Sequence, residues 1–439
     1  MRPRVLTGFA LLLFGIVGTA RAWQISSLDR ERGVLMLHGV RNDLEKRYYD
    51  STFHGLNLTA LFDSAEADVR SAQSNSDIFG IIAGVLVRLD DSHTWFLPPA
   101  RVARVDYGWT MRMVGETAFV FTLSPGSDAQ ASGLHVGDAI LGVERFRPTR
   151  RSFTKLLYWY YKLSPQDALT LIARSPDSTA QPRRLVAHAK VIQGKSIIDL
   201  SGQDGATDIW NLVRQWENTR DAWADRFAAV GRDVLVWRLK SFDSEDQMDQ
   251  GIKRAAGFPT LVVDARNNPG GAERALLRLT GHLLSATDTI GTIHRRHETI
   301  PMVSKPSRPA YAGNVVVLVD AGSASASEIF ARTMQLAHRG RVVGDTTAGA
   351  VMRSIGWEHT IGVEIAVFYG VSVTDADIVM SDGGRLEQVG VAPDLPVLPT
   401  GSDLAAGRDP ALALAIGLGG PRISADSAGR LFPREQNEH

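Results

Sequence analysis

Three serines stand close together at Ser323, Ser325 and Ser327. They follow an apolar run, Val315 to Val319, and precede a helical pattern carrying Ile329, Phe330, Met334 and Leu336. A hydroxyl between the carboxyl end of a buried strand and the mouth of a helix has the setting of a nucleophile. The helix dipole and unpaired backbone N–H groups there can stabilise a developing oxyanion. The same letters also spell a capping box, Ser325-x-x-Glu328, which needs no chemistry. Two other places hold reactive types. Ser92-His93 closes a helical stretch, where an imidazole can act as a general base or balance the helix dipole. Asn268-Pro269-Gly270-Gly271 follows a second apolar run, Leu261 to Val263, and its glycines permit either a tight turn or close backbone approach to a substrate. Arg353 stays protonated and makes a poor base. His294 and His297 lack the H-E-x-x-H spacing and a third ligand, so no metal or cofactor is expected. Asp91, Asp382 and Asp394 read as caps or turn residues.

The elements that must position these groups are legible from periodicity. From Leu28 to about Pro98 the pattern is helical, with Val34, Leu37, Val40, Leu44 and Tyr48 on one face, a second helix from Leu61, and a third from Ile78 to Leu89. A polar, mainly helical connector is expected from Ser196 to Gly231. From Asp233 the chain reads as α/β, with strands at 234–239, 261–264, 315–319 and 342–343 and helices between them. Strand-like stretches from Trp357 to Phe368 and Val371 to Val379 follow, then a helix from Pro410 and a polar tail from 421.

The chain has 439 residues, too many for one ordinary core. Formal charge is zero, so neither nucleic acid nor an anionic membrane is an expected partner. The absence of cysteine removes thiol catalysis and disulfides. Arg2 and Arg4, the apolar run Val5 to Val17 and the Ala20-Arg21-Ala22 site have the layout of a secretory signal, with cleavage expected after Ala22. The mature protein is therefore expected to be exported, periplasmic or extracellular, without stable membrane insertion.

Ser124-Pro125-Gly126-Ser127 through Gly133-Leu134-His135-Val136-Gly137-Asp138-Ala139-Ile140 resembles the core motif of PDZ domains. Such domains bind chain termini by β-augmentation. The corresponding loop here, Tyr107-Gly108-Trp109, lacks a clean G-L-G-F pattern but is the implied peptide-binding segment.

Five separated stretches, 89–94, 261–271, 316–330, 344–349 and 386–394, resemble peptidase family S41, which includes the carboxyl-terminal processing peptidases and the tricorn-type core. In the last stretch Gln388 replaces a motif glycine. The resemblance implies Ser325 as nucleophile, with Ala326 and Gly270 or Gly271 as oxyanion donors. The lysine base of the best-known branch falls on Ala350 and its glutamine on Ser354, so a Ser-Lys dyad is absent. The tricorn-like branch implies instead His93 as base, with Ser92 and Glu387 orienting it. The expected fold is multidomain α/β: a signal peptide (1–22), an N-terminal helical domain (23–100), a PDZ domain (101–193), an S41-type, ClpP/crotonase-like core with its connector (194–420) and a polar tail (421–439). The expected activity is cofactor-independent serine endopeptidase action on polypeptides through an acyl-enzyme. A catalytically inactive scaffold presenting a PDZ groove is the rival reading.

Overall fold

The computed structural model describes residues 25–100, 103–176, 179–193, 224–362 and 366–433. The expected signal segment and most of the connector lie outside the described residues. What is described is a mixed α/β protein.

Three helices open the chain: α1 (Ser27–Arg47), α2 (Leu58–Ser71) and α3 (Asn75–Val87). Each begins where a side-chain oxygen of Ser26, Asn57 or Ser74 accepts a free backbone N–H of the first turn. Their apolar faces do not close on one another alone. Leu37, Val40, Leu44, Phe62, Ile82 and Leu86 pack with Phe96 and with Tyr369, Val371 and Val373 from much later in the chain. The expected boundary at residue 100 therefore does not isolate a separate core. Phe96 lies on β1 (Trp95–Leu97), a short strand that begins directly after the Asp90–Thr94 segment.

The next unit contains β2 (Ala103–Asp106), β3 (Trp109–Val114), β4 (Thr117–Leu123), α4 (Asp128–Ala131), β5 (Ala139–Val143), α5 (Arg150–Tyr158), β6 (Ala168–Arg174), β7 (Arg183–His188) and β8 (Lys190–Gln193). Five of its strands form an antiparallel sheet in the order β3-β4-β5-β6-β7, and β2 pairs with β8. β3 and β4 alternate buried and half-buried residues, the period of a sheet with one face in a core.

The last unit is built on two sheets. Its elements are β9 (Arg226–Val230), β10 (Val234–Arg238), α6 (Glu245–Ala255), β11 (Thr260–Asp264), α7 (Glu273–Leu283), β12 (Asp288–Arg295), β13 (Thr299–Ser304), β14 (Asn314–Val319), α8 (Ala326–Leu336), β15 (Gly340–Gly344), β16 (Met352–Ile361), β17 (Val367–Met380), β18 (Leu395–Pro396), α9 (Gly401–Ala406), α10 (Pro410–Gly417) and α11 (Ala425–Leu431). The six-stranded sheet runs β18-β15-β14-β11-β10-β9, parallel except for β9. Both faces of a parallel sheet are normally covered, which is why β11 and β14 read as unbroken apolar runs. Val263, Val315 and Val317 pack with the α6–α8 side, whereas Val262, Val316 and Leu318 pack with α10 and α11. The second sheet runs β1-β17-β12-β13, with β16 on β17. Pairing of Phe96 with Val371 draws the Asp90–Thr94 segment onto this unit.

Three expectations are corrected. Phe368 pairs with Thr360 across a β16–β17 hairpin and does not end the earlier strand. Arg226–Val230, within the expected helical connector, is a strand on the edge of the parallel sheet. The expected polar tail contains α11, because Ala428 and the following Phe432 are buried in the core on the α10 face of that sheet.

Candidate active site

β14 ends at Val319, and a tight turn carries the chain into α8. The turn separates the three serines. The Ser323 hydroxyl donates to the Ala265 carbonyl at 2.8 Å and accepts from the Asp320 N–H at 2.9 Å. The Ser327 hydroxyl donates to the Asn268 carbonyl at 2.9 Å. Both residues are fully buried and spent on structure. Ser325 is half-buried and sits at φ 56°, ψ −120°, a strained conformation for a residue with a Cβ. Its N–H donates to the Ala350 carbonyl at 2.9 Å and to the Glu328 carboxylate at 3.1 Å. Glu328 also accepts from the Thr347 hydroxyl at 2.5 Å and from the N–H groups of Gly349 and Ala350 at 2.8 and 2.9 Å. Burial pushes the Glu328 carboxyl up to about 7, against the downward pull of these donors. A glutamate at the first turn of a helix thus also fastens the loop beside Ser325.

The Gly270-Gly271 turn lies against this elbow. A Cβ on Gly270 would stand 2.7 Å from the Ser325 Cβ and 2.8 Å from the Ala326 nitrogen, so only glycine allows the approach. The two candidates for a free donor are now distinguishable. The Gly270 N–H donates to the Asn268 side-chain oxygen at 2.8 Å. Among the described residues, the N–H groups of Gly271 and Ala326 have no such acceptor. Asn268 itself is buried and holds the turn, donating to the Leu239 carbonyl at 2.9 Å and accepting from the Ala324 N–H at 2.9 Å.

The structure brings Ser92, His93 and Glu387 together. The Ser92 hydroxyl donates to Glu387 Oε2 at 2.8 Å and lies 2.7 Å from His93 Nδ1. The Ser92 N–H donates to Glu387 Oε1 at 2.8 Å. A hydroxyl has one proton, and here the carboxylate takes it. Nδ1 must then be the donor to Ser92, which leaves the lone pair on Nε2. That is the tautomer of an imidazole base. Burial lowers the His93 pKa, with Asp91 pulling the other way. Burial also raises that of Glu387, against its hydrogen bonds from Ser92 and Val351.

Asp91 shapes the segment. Its carboxylate accepts from the N–H groups of His93 and Thr94 at 2.9 and 2.7 Å and from the Tyr48 hydroxyl at 2.8 Å. Asp382 pairs with Arg332 and Asp394 caps the Val342 N–H, as turn and cap residues do. His294 Nε2 lies 2.8 Å from the Thr292 hydroxyl, a local strand contact.

Helix α5 touches both halves of the constellation. Arg150 donates to Asp345 at 3.1 Å and to the carbonyls of Thr346 and Thr347, in the loop that carries Ala350. Arg151 and Lys155 reach the Asp90 carboxylate at 2.6 and 3.4 Å.

The expected peptide-binding segment turns its rings inward. The rings of Tyr107 and Trp109 are buried in the core of the β3–β7 unit. The Gly108 N–H donates to Asp106 at 2.8 Å, and its carbonyl accepts from the Ser124 N–H at 2.8 Å.

Sequence reasoning gave no role of their own to Asn268, Thr347 and the α5 cations. Asn268 carried a signal, because Asn-Pro-Gly-Gly is a run of turn residues after a buried strand.

Residues 233–397 match the family described as peptidase family S41. The chain is 26% identical over 390 residues to a chloroplastic C-terminal processing peptidase of Tetradesmus obliquus, covering 81% of this chain and 76% of that protein. It is 23% identical over 407 residues to a carboxyl-terminal-processing protease of Picosynechococcus sp., covering 90% of each. Among solved structures, mature CPAF superposes with a TM-score of 0.62 at 14% identity, over 86% of this chain and 95% of that one. The photosystem II D1 C-terminal processing protease gives 0.51 at 19% identity, over 91% and 99%. These two likenesses concern the fold. The sequence matches place the chain in peptidase family S41 and make it a serine-type peptidase.

Proposed function

We propose that the protein is an exported endopeptidase that cleaves polypeptides through an acyl-enzyme on Ser325, with His93 as general base. The observation that carries this reading is the Glu387–Ser92–His93 chain of hydrogen bonds, which leaves Nε2 of His93 as an acceptor. In the reaction the Ser325 oxygen attacks the scissile carbonyl carbon and its proton passes to His93 Nε2. The N–H groups of Ala326 and Gly271 hold the oxyanion. His93 then gives the proton to the departing amine as the C–N bond breaks. Water adds to the acyl carbon, losing a proton to His93, and that proton returns to Ser325 as the acid leaves. Ser92 and Glu387 keep the imidazole in its tautomer. No step needs a cofactor.

The unit from β2 to β8 serves in this reading as a PDZ-type domain, and the helices before it as an N-terminal domain docked on β17. Any peptide it takes would pair with the backbone of β3, an edge strand of its sheet, since the rings of Tyr107 and Trp109 are occupied. Export rests on the signal layout of residues 1–22. Among the described residues no helix is long and apolar enough to cross a membrane.

Incubation with unfolded casein tests the reading. The mature protein is expected to release fragments and the Ser325→Ala variant none. Equal cleavage by both removes Ser325 from the mechanism. No cleavage by either, with peptide binding retained, returns the scaffold reading.

A further inference from the structure

We infer that Gln388 is a positioning residue for His93, a role that rests on the assignment of His93 as base. Two residues with side chains adopt left-handed backbone on facing segments, Asp90 at φ 54° and Gln388 at φ 60°. Such a conformation suits glycine and strains other residues. The two are joined: Gln388 Nε2 donates to the Asp90 carbonyl at 2.5 Å. Gln388 directly follows Glu387, and Asp90 stands two residues before Ser92. The closing loop therefore grips the base-bearing segment at three points. Glu387 takes the N–H and hydroxyl of Ser92, and Gln388 takes the carbonyl of Asp90.

The grip has a physical purpose. The His93 segment and Ser325 lie on different elements, and the His93 segment leads directly into short β1, which pairs with β17. Asp91 and Thr94 tie the turn to Tyr48 and Thr374, and Glu387 holds Ser92, which leaves the Asp90 end of the segment to be fixed. A further bond from the residue next to Glu387, to a carbonyl on the other side of Asp91, fixes that end. The far face of Asp90 is held by Arg151 and Lys155 of α5. Gln388 is exposed and its backbone is strained, so its bond contributes little to the stability of the fold. Its effect falls on the angle of the imidazole.

The test reads Ser325 directly, through the second-order rate of its labelling by a fluorophosphonate, alongside kcat and KM on casein and the melting temperature. Gln388→Gly removes the side chain and relieves the strain. The expected result is a labelling rate and kcat lower by about three- to tenfold, the range one lost hydrogen bond spans, with KM unchanged and the melting temperature unchanged or raised. Gln388→Lys, which restores a donor of similar reach, is expected to recover at least half of the loss. Wild-type labelling rate in Gln388→Gly overturns the inference, and so does a loss that Gln388→Lys fails to recover. If the unsubstituted protein is not labelled at Ser325, the proposed mechanism itself fails, a result separate from either.

Discussion

Ser325 and Glu387 hydrogen-bond to opposite sides of one peptide group. The carbonyl of Ala350 accepts the Ser325 N–H at 2.9 Å, and the N–H of Val351, in the same peptide, donates to the Glu387 carboxylate at 2.8 Å. Position 350 is where the Ser-Lys branch of the family would carry its base. Here it supplies no side-chain base, and its backbone joins the Ser325 turn to the Glu387 carboxylate that also holds Ser92. A peptide is planar, so the two bonds fix a common geometry.

The first prediction concerns that carboxylate. Glu387 accepts three donors, from the Ser92 N–H, the Ser92 hydroxyl and the Val351 N–H. An amide offers one acceptor oxygen and turns its NH2 toward a donor. Glu387→Gln is expected to lower kcat on casein by about a hundredfold, within the range for general-base catalysis. The unfolding free energy should fall by about 1–3 kcal/mol, the cost of an unsatisfied buried donor. Steady-state kinetics and urea titration check both.

The second prediction is a pH profile. In the proposed mechanism His93 must be neutral to accept the Ser325 proton, and burial lowers its pKa from the ordinary 6.5. The acid limb of kcat/KM is expected to have its midpoint below that value, with the rate already flat at neutral pH. Asp91 is the group that opposes the shift, so Asp91→Asn should move the limb further down. A limb above 6.5 would show another group to be limiting.

The third prediction follows from Glu328. Its carboxyl is raised from 4.5 to about 7 in the folded chain. Between these values the folded state holds a proton that the unfolded state has lost. Stability is thus greatest below the unfolded value and declines as pH rises toward 7. The upper bound is about 3 kcal/mol from one pKa unit per 1.36 kcal/mol. Denaturant midpoints between pH 5 and 8 should fall in the unsubstituted protein and flatten in Glu328→Gln. A flat profile in both would mean that the four donors keep the carboxylate charged throughout.

A fourth prediction tests the glycine turn. Gly270 has φ 96° and faces the Ser325 Cβ. Gly270→Ala places a methyl inside that contact and strains the backbone. The expected cost is about 2 kcal/mol of stability together with loss of casein cleavage. Gly257, which has open space at its Cβ, should accept alanine with full activity.

The legible parts of this molecule were the local ones. Val315 to Val319, the small turn and the α8 pattern lie together in the chain, so periodicity located the elbow around Ser325. The choice among three serines was not local, because the acceptors that occupy Ser323 and Ser327 are the carbonyls of Ala265 and Asn268, on the β11 side. His93 read on its own as a helix cap, and only the family resemblance connected it with Ser325. Gln388 was visible as a departure from a motif, while its partner Asp90 was not, since the two meet only when β1 pairs with β17. Ala428 and Phe432 were hidden in a polar stretch whose few apolar residues make too weak a pattern to show a helix.

The central claim is that His93 activates Ser325. The most direct measurement is fluorophosphonate labelling with the adduct mapped by mass spectrometry, in the unsubstituted protein and in His93→Ala at neutral pH. The account predicts an adduct on the peptide containing Ser325 and a labelling rate lower by about 10³-fold in the variant. Equal labelling of the two proteins, or an adduct on a different residue, would contradict it.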